Sequence, residues 1–262
     1  MRKLKKLSAL VLSTVFATMQ ISVAAPIDTG LGQNLGGAVI NDATGGLVNV
    51  TKGTGRADLN FDANTHVKWD TLNVGKNETL NFNAVNNASN LTILNTVNRG
   101  MSTFAGAVNA NSGIGKLIIS NPNGMLFDGT KFTTAGDLVL TTKDMSNVNV
   151  NDLSNAKYTK FYDADGKLIQ VKANNSKFIV NGDYVIEAPY VDMNASSVTA
   201  NAFKIVTANG ADYAGVAGSV VPANNKGVTF LKAMEINGDV YITNPEGAMS
   251  IANGGTINGK LT

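Results

Sequence analysis

The stretch from Gly115 to Thr142 narrows the possible folds more than any other part of the chain. Two short β-rich runs, residues 117–120 and 138–142, are separated by Asn121-Pro122-Asn123-Gly124 and a glycine-punctuated passage. A proline drives the residue before it out of the α region, so Asn121 is extended. Pro122 has its φ fixed for the second position of a turn, and Gly124 suits the fourth. The device recurs with identical spacing: Gly238, five strand-like residues, then Asn244-Pro245-Glu246-Gly247. Glu246 takes left-handed geometry poorly, which predicts a type I turn in both copies. Further strands follow an even rhythm at 178–180, 184–186, 190–193, 197–199 and 203–206. Ile119 and Leu140 stand 21 positions apart, Val185 and Ile205 stand 20. Three short strands per repeat of that length predict an all-β solenoid rather than a sandwich. The 34 asparagines fit, because Asn suits tight corners and stacks in ladders.

The chain opens with Met1-Arg2-Lys3-Leu4-Lys5-Lys6, an apolar run to Val23, and Ala24-Ala25-Pro26. This is the pattern of a secretory signal peptide over residues 1–24, cut after Ala24, leaving one domain over 25–262. Ser13, Thr14, Thr18 and Gln20 interrupt a run already short for a membrane span. The leader holds four of the 21 Lys+Arg and none of the 19 Asp+Glu, so the remainder carries a net charge of −2. Nothing in that balance calls for nucleic acid or an anionic membrane. The absence of cysteine excludes disulfides and thiolate metal sites.

From 25 to about 76 the chain is rich in Gly and Asn with short alternating runs, and residues 69–83 and 85–97 read as strands with one buried face. Residues 98–113 have room for one short helical turn at most. Residues 144–158 read as a polar loop, 161–169 as a hairpin with Asp165-Gly166 at its tip, and 207–226 as a loop excursion.

Catalytic constellations are not found. His66 is the only histidine and reads as a half-exposed strand residue; no G-x-S-x-G elbow accompanies it. Asp163-Ala164-Asp165-Gly166 resembles part of a calcium loop, but the twelve-residue frame begins at Phe161 and ends at Lys172. Residues 254–260 match a phosphate-loop string until Leu261 replaces its Ser/Thr. Asp183, Glu187 and Asp192 are the carboxylates that a β-helical glycosidase would draw on, and they read more simply as solvated strand faces. No metal or cofactor is expected. Trp69 and the scattered Phe and Tyr residues read as core.

Residues 69–142 carry a specific resemblance. W-D-T-L-N-V-G with E-T-L-N-F-N, then L-N-T-V-N-R-G, then I-S-N-P-N-G-M-L-F-D-G-T-K-F-T-T-A-G-D-L-V-L-T-T resemble the N-terminal secretion domain of filamentous haemagglutinin-like exoproteins, the two-partner secretion family. The resemblance implies a right-handed, single-stranded parallel β-helix with an N-terminal β cap and extra-helical hairpins. It implies Sec export and engagement by the periplasmic domains of a TpsB-type outer-membrane β-barrel transporter. Delivery to the cell surface or beyond follows, with adhesion to a host-cell or surface ligand as the downstream task. Asn121, Pro122, Asn123 and Gly124 carry over as the family's secretion motif. Asn244, Pro245 and Gly247 form a second turn of that type. Where many relatives have a further N-P-N-L, this chain has N-N-A-S-N-L at 86–91. The competing readings are a β-helical carbohydrate-active enzyme and a structural remnant of a larger adhesin.

Overall fold

The computed structural model describes residues 35, 37–207, 227–243, 248–252 and 254–262. Among these, regular structure is entirely β. Strand β1 (Val39–Gly53) runs antiparallel to β2 (Arg56–Thr71), from Val39 opposite Thr71 to Gly53 opposite Arg56, and closes the N-terminal end as a cap. The remaining pairings between strands are parallel, and they stack coil on coil. The second coil is β3 (Thr79–Ala84), β4 (Leu91–Val97) and β5 (Ser102–Phe104); the third is β6 (Ala107–Ala110), β7 (Ile114–Ser120) and β8 (Met125–Asp128). The fourth is β9 (Lys131–Thr134), β10 (Asp137–Thr141) and β11 (Gln170–Asn174); the fifth is β12 (Lys177–Val180), β13 (Tyr184–Glu187) and β14 (Tyr190–Asn194). Strand β15 (Ser197–Val206) bends round a corner to serve two faces before β16 (Val228–Lys232). Strand β17 (Glu235–Thr243) does the same before β18 (Ala248–Ala252), and β19 (Thr256–Asn258) begins the next turn. The fold is a three-faced parallel β-helix, as the 20-residue rhythm predicts.

Alternation sends every second residue inward, and the parallel register puts like on like. One inner column runs Ile93, Leu117, Leu138, Tyr184, Phe203, each opposite the next. Aromatic rings stack along the interior: Phe104 on Phe127 at 4.8 Å, and Tyr184 between Phe178 and Phe203 at 5.0 Å from each. The corners are turned by left-handed residues, and Gly129, Asn175, Ala195, Ala233 and Gly254 hold the same corner in successive coils. Asparagines ladder outside, with Asn109 donating to Asn81 and Asn81 to Asp58.

Four expectations change. Residues 98–113 contain β5 and β6 and no helical turn. The strand expected over 85–97 begins only at Leu91, because Asn86, Asn87 and Asn90 all have positive φ and turn the chain first. His66 is buried, 6% exposed, since Leu94 stacks opposite it and its Nε2 lies 2.8 Å from Thr96 Oγ1. The polar loop after β10 is a strap with an apolar underside. Met145 and Val148 pack onto Leu94 and Ile118, which point outward from the sheet. The turn at Asp165-Gly166 is as expected, with Tyr162 bridged to Leu168 and Gly166 at φ +75°. Residues 1–24, the 208–226 excursion and the turn at Asn244, Pro245 and Gly247 lie outside the described residues.

Candidate functional site

The motif residues meet at one corner of the solenoid, where the chain passes from the second strand of a coil to the third. Trp69 is fully buried and its Nε1 donates to Asn95 Oδ1 at 3.0 Å, while Asn95 Nδ2 donates to the Ile118 carbonyl. Arg99 forks onto both carboxylate oxygens of Asp70 and holds that carboxyl below its ordinary range. The W-D pair of the first coil is thereby matched to the N and R of L-N-T-V-N-R-G in the second. Asn73 joins as well, accepting from the Thr103 amide at 2.8 Å and donating to the Gly37 carbonyl at 3.2 Å.

The third coil adds Asn121-Pro122-Asn123-Gly124. The Gly124 amide donates to the Asn121 carbonyl at 3.0 Å, and positive φ is confined to Gly124, so the turn is type I. Asn121 is fully buried and each polar group is used. Its amide donates to Thr141 O, Oδ1 accepts from the Asn123 amide at 2.8 Å, and Nδ2 donates to Gly100 O and Ser102 Oγ. Gly124 is required twice over. Its φ of +94° disfavours side chains, and a Cβ there would sit 2.8 Å from the Gln170 carbonyl of the next coil.

Pro122 and Asn123, by contrast, are half-buried and face a cleft of about 360 Å³. The cap contributes Asn41, Lys68 and Trp69, the second coil Val97 and Asn98, and the strap Asp144, Ser146, Asn147, Thr159 and Lys160. Asn123 Nδ2 donates to Asn98 O, and Lys160 Nζ donates to Asn123 Oδ1 at 2.7 Å, so the end of the strap is tied to the corner. The start of the strap is tied too. Ser120 Oγ donates to Lys143 O, and Lys143 Nζ pairs with Glu187 at 3.1 Å and lies over the Tyr158 ring.

Sequence reasoning found the four-residue corner and missed the cleft and strap beside it. The signal for the strap was Met145, Val148 and Leu153, apolar residues spaced through an otherwise polar segment. The structure does not bring Asp183, Glu187 and Asp192 together as a free carboxylate pair. Each is ion-paired to a lysine: Lys204, Lys143 and Lys172 respectively. His66 has its proton affinity lowered by burial and by Lys68, and its Nε2 shares a buried hydrogen bond with the Thr96 hydroxyl.

A family model of the TPS secretion domain matches residues 36–260. Among curated proteins, the heme/hemopexin-binding protein of Haemophilus influenzae is 30% identical over 139 residues. That match covers 49% of this chain and 15% of the much longer relative. Among solved structures, the HMW1 secretion domain from Haemophilus influenzae superposes with a TM-score of 0.58 at 17% identity, covering 82% of this chain and 64% of that one. Matched over nearly all its described length by the family's model, and sharing its β-helix, the chain belongs to the TPS secretion domain family of two-partner secretion exoproteins.

Proposed function

We propose that this chain is exported by the Sec route, loses residues 1–24 after Ala24, and is led across the outer membrane by the periplasmic domains of a TpsB-type β-barrel transporter. The domain does no chemistry of its own; its task is to be recognised and then to fold outside, with adhesion as the downstream role of the exoprotein. A cysteine-free chain stays free of cross-links in an oxidising periplasm. Parallel coils add neighbour by neighbour, so emergence and folding proceed together. While unfolded, the alternating segments over 69–97 offer strand edges for β-addition to the transporter.

In this reading the N-P-N-G corner acts by shape. The observation that carries it is Asn121, whose polar groups are all engaged inside the fold, leaving none to offer a partner. Secretion and refolding measured on the same variants test the assignment. Asn121→Ala and Gly124→Ala should impair both together, while Asn123→Ala should leave both near wild type. Secretion abolished in Asn123→Ala, with the fold intact, would make the corner a contact surface instead.

A further inference from the structure

We propose that the cleft between the N-P-N-G corner and the strap is a binding site for a singly charged acidic sugar, of the uronic acid kind. Its carboxylate would sit at Lys68 and Lys160 and its hydroxyls at the amide and hydroxyl side chains around them. The site belongs to the folded domain and does not depend on how the chain crosses the envelope. At about 360 Å³ the cleft has the size of a small-molecule site, where about 300–1,000 Å³ is usual. Its walls come from cap, corner and strap, three stretches distant in sequence, so only the folded chain assembles it.

Two observations specify the ligand. The first is charge. On the solenoid faces Lys116, Lys143, Lys172 and Lys204 are each paired with a carboxylate. In the cleft the lysines are not. Lys68 is half-buried with no carboxylate at ion-pair distance among the described residues, and the Lys160 ammonium donates to a neutral amide, Asn123 Oδ1. A ligand carboxylate reaching them forms charge-assisted bonds, which are stronger than the neutral one it meets there. The one acid in the lining is Asp144, an oxygen of which already accepts from the Ser146 amide. Two ammonium groups against one carboxylate leave a single positive charge, the complement of a carboxylate rather than of a doubly charged phosphate monoester. The second is the supply of unspent polar groups. Asn98, Asn147 and Thr159 line the cleft, and their side chains have no hydrogen-bond partner among the described residues. A side-chain amide offers donors and an acceptor together, as neighbouring sugar hydroxyls require. Val97 and Pro122 add apolar surface for the C–H face of a ring.

Two residues report on the site from within. Trp69, the only tryptophan, lines the cleft, and His66, the only histidine, bonds to Thr96 in its wall and feels the Lys68 charge. That charge lowers the proton affinity of His66, so a carboxylate bound at Lys68 should move the His66 titration to higher pH. The folded chain is titrated with glucuronate, glucose and acetate, followed by Trp69 fluorescence and the His66 ring resonances. Glucuronate should give a saturable response in both, bind at least about tenfold more tightly than glucose or acetate, and raise the His66 midpoint. Lys68→Gln, and separately Lys160→Gln at an exposed position, should keep the circular dichroism of the coils and weaken glucuronate about tenfold. Lys116→Gln, outside the cleft, should bind as wild type. No saturable response to glucuronate overturns the proposal, as does acetate binding equally well, which would mean a bare anion site. Unchanged glucuronate binding in both folded lysine variants overturns it too.

Discussion

Asn121 shows how a single side chain fixes a corner that the backbone alone would leave open. Truncating it removes the buried bond to Ser102 Oγ and the bonds that hold the Asn123 amide and the Gly100 carbonyl at the corner. Asn121→Ala should therefore cost about 2–3 kcal/mol in urea unfolding, against about 0.5 kcal/mol for the half-exposed Asn123→Ala. Tyr184 presents the opposite case. Among the described residues its hydroxyl, buried in the aromatic stack, has no hydrogen-bond partner, and burial pushes its pKa well up. Tyr184→Phe should raise stability by about 1 kcal/mol, and a loss would mean the hydroxyl is bonded. His66 titrates lower in the fold than its ordinary 6.5, so the unfolded chain binds the extra proton first. Stability should fall as pH drops through about 6.5 and level off below the folded value, and His66→Gln should flatten that part of the melting-temperature profile.

At the scale of elements, the strap is held by a small apolar patch and two tethers. Val148→Asp would bury a charge against Leu94 and Ile118, at a cost of about 2 kcal/mol or more to docking. Limited proteolysis should then cut within 143–169 while the coils on either side resist. The corner column gives another test. Ala195 and Ala233 take positive φ where other coils use Gly or Asn, so Ala233→Gly should gain about 0.5–1 kcal/mol in thermal unfolding. These elements also show what a sequence displays and what it hides. Strands such as 178–180 and 184–186 were legible because alternation and punctuation coincide. Strands β5 and β6 were not, because Ala105, Gly106, Ala107 and Ala110 give them little apolar contrast and their stability comes from the coils above and below. The long β1–β2 pair was hidden by register shifts around Gly45 that break the alternation. The strap was hidden because its apolar residues follow no period and matter only against a sheet distant in sequence.

The molecule as a whole is a capped stack in which each coil completes the one before it. The motif residues from Trp69 to Gly124 tie the first three coils together along a single corner. The corner's turn type was legible from Pro122 and Glu246, whereas its bonding to Gly100, Ser102 and Asn98 depended on the parallel register and was visible only once coils were stacked. The family places such a stack among two-partner secretion exoproteins, and the proposal that it is cargo for an outer-membrane pore rests on one physical requirement: the chain must fail to leave the envelope without that pore. The most direct measurement expresses the full chain with and without its paired β-barrel transporter and assays the medium, cell surface and periplasm. The account predicts folded protein outside only when the transporter is supplied, and protein held in the periplasm otherwise. Protein retained in the envelope under both conditions, or released equally under both, would contradict it.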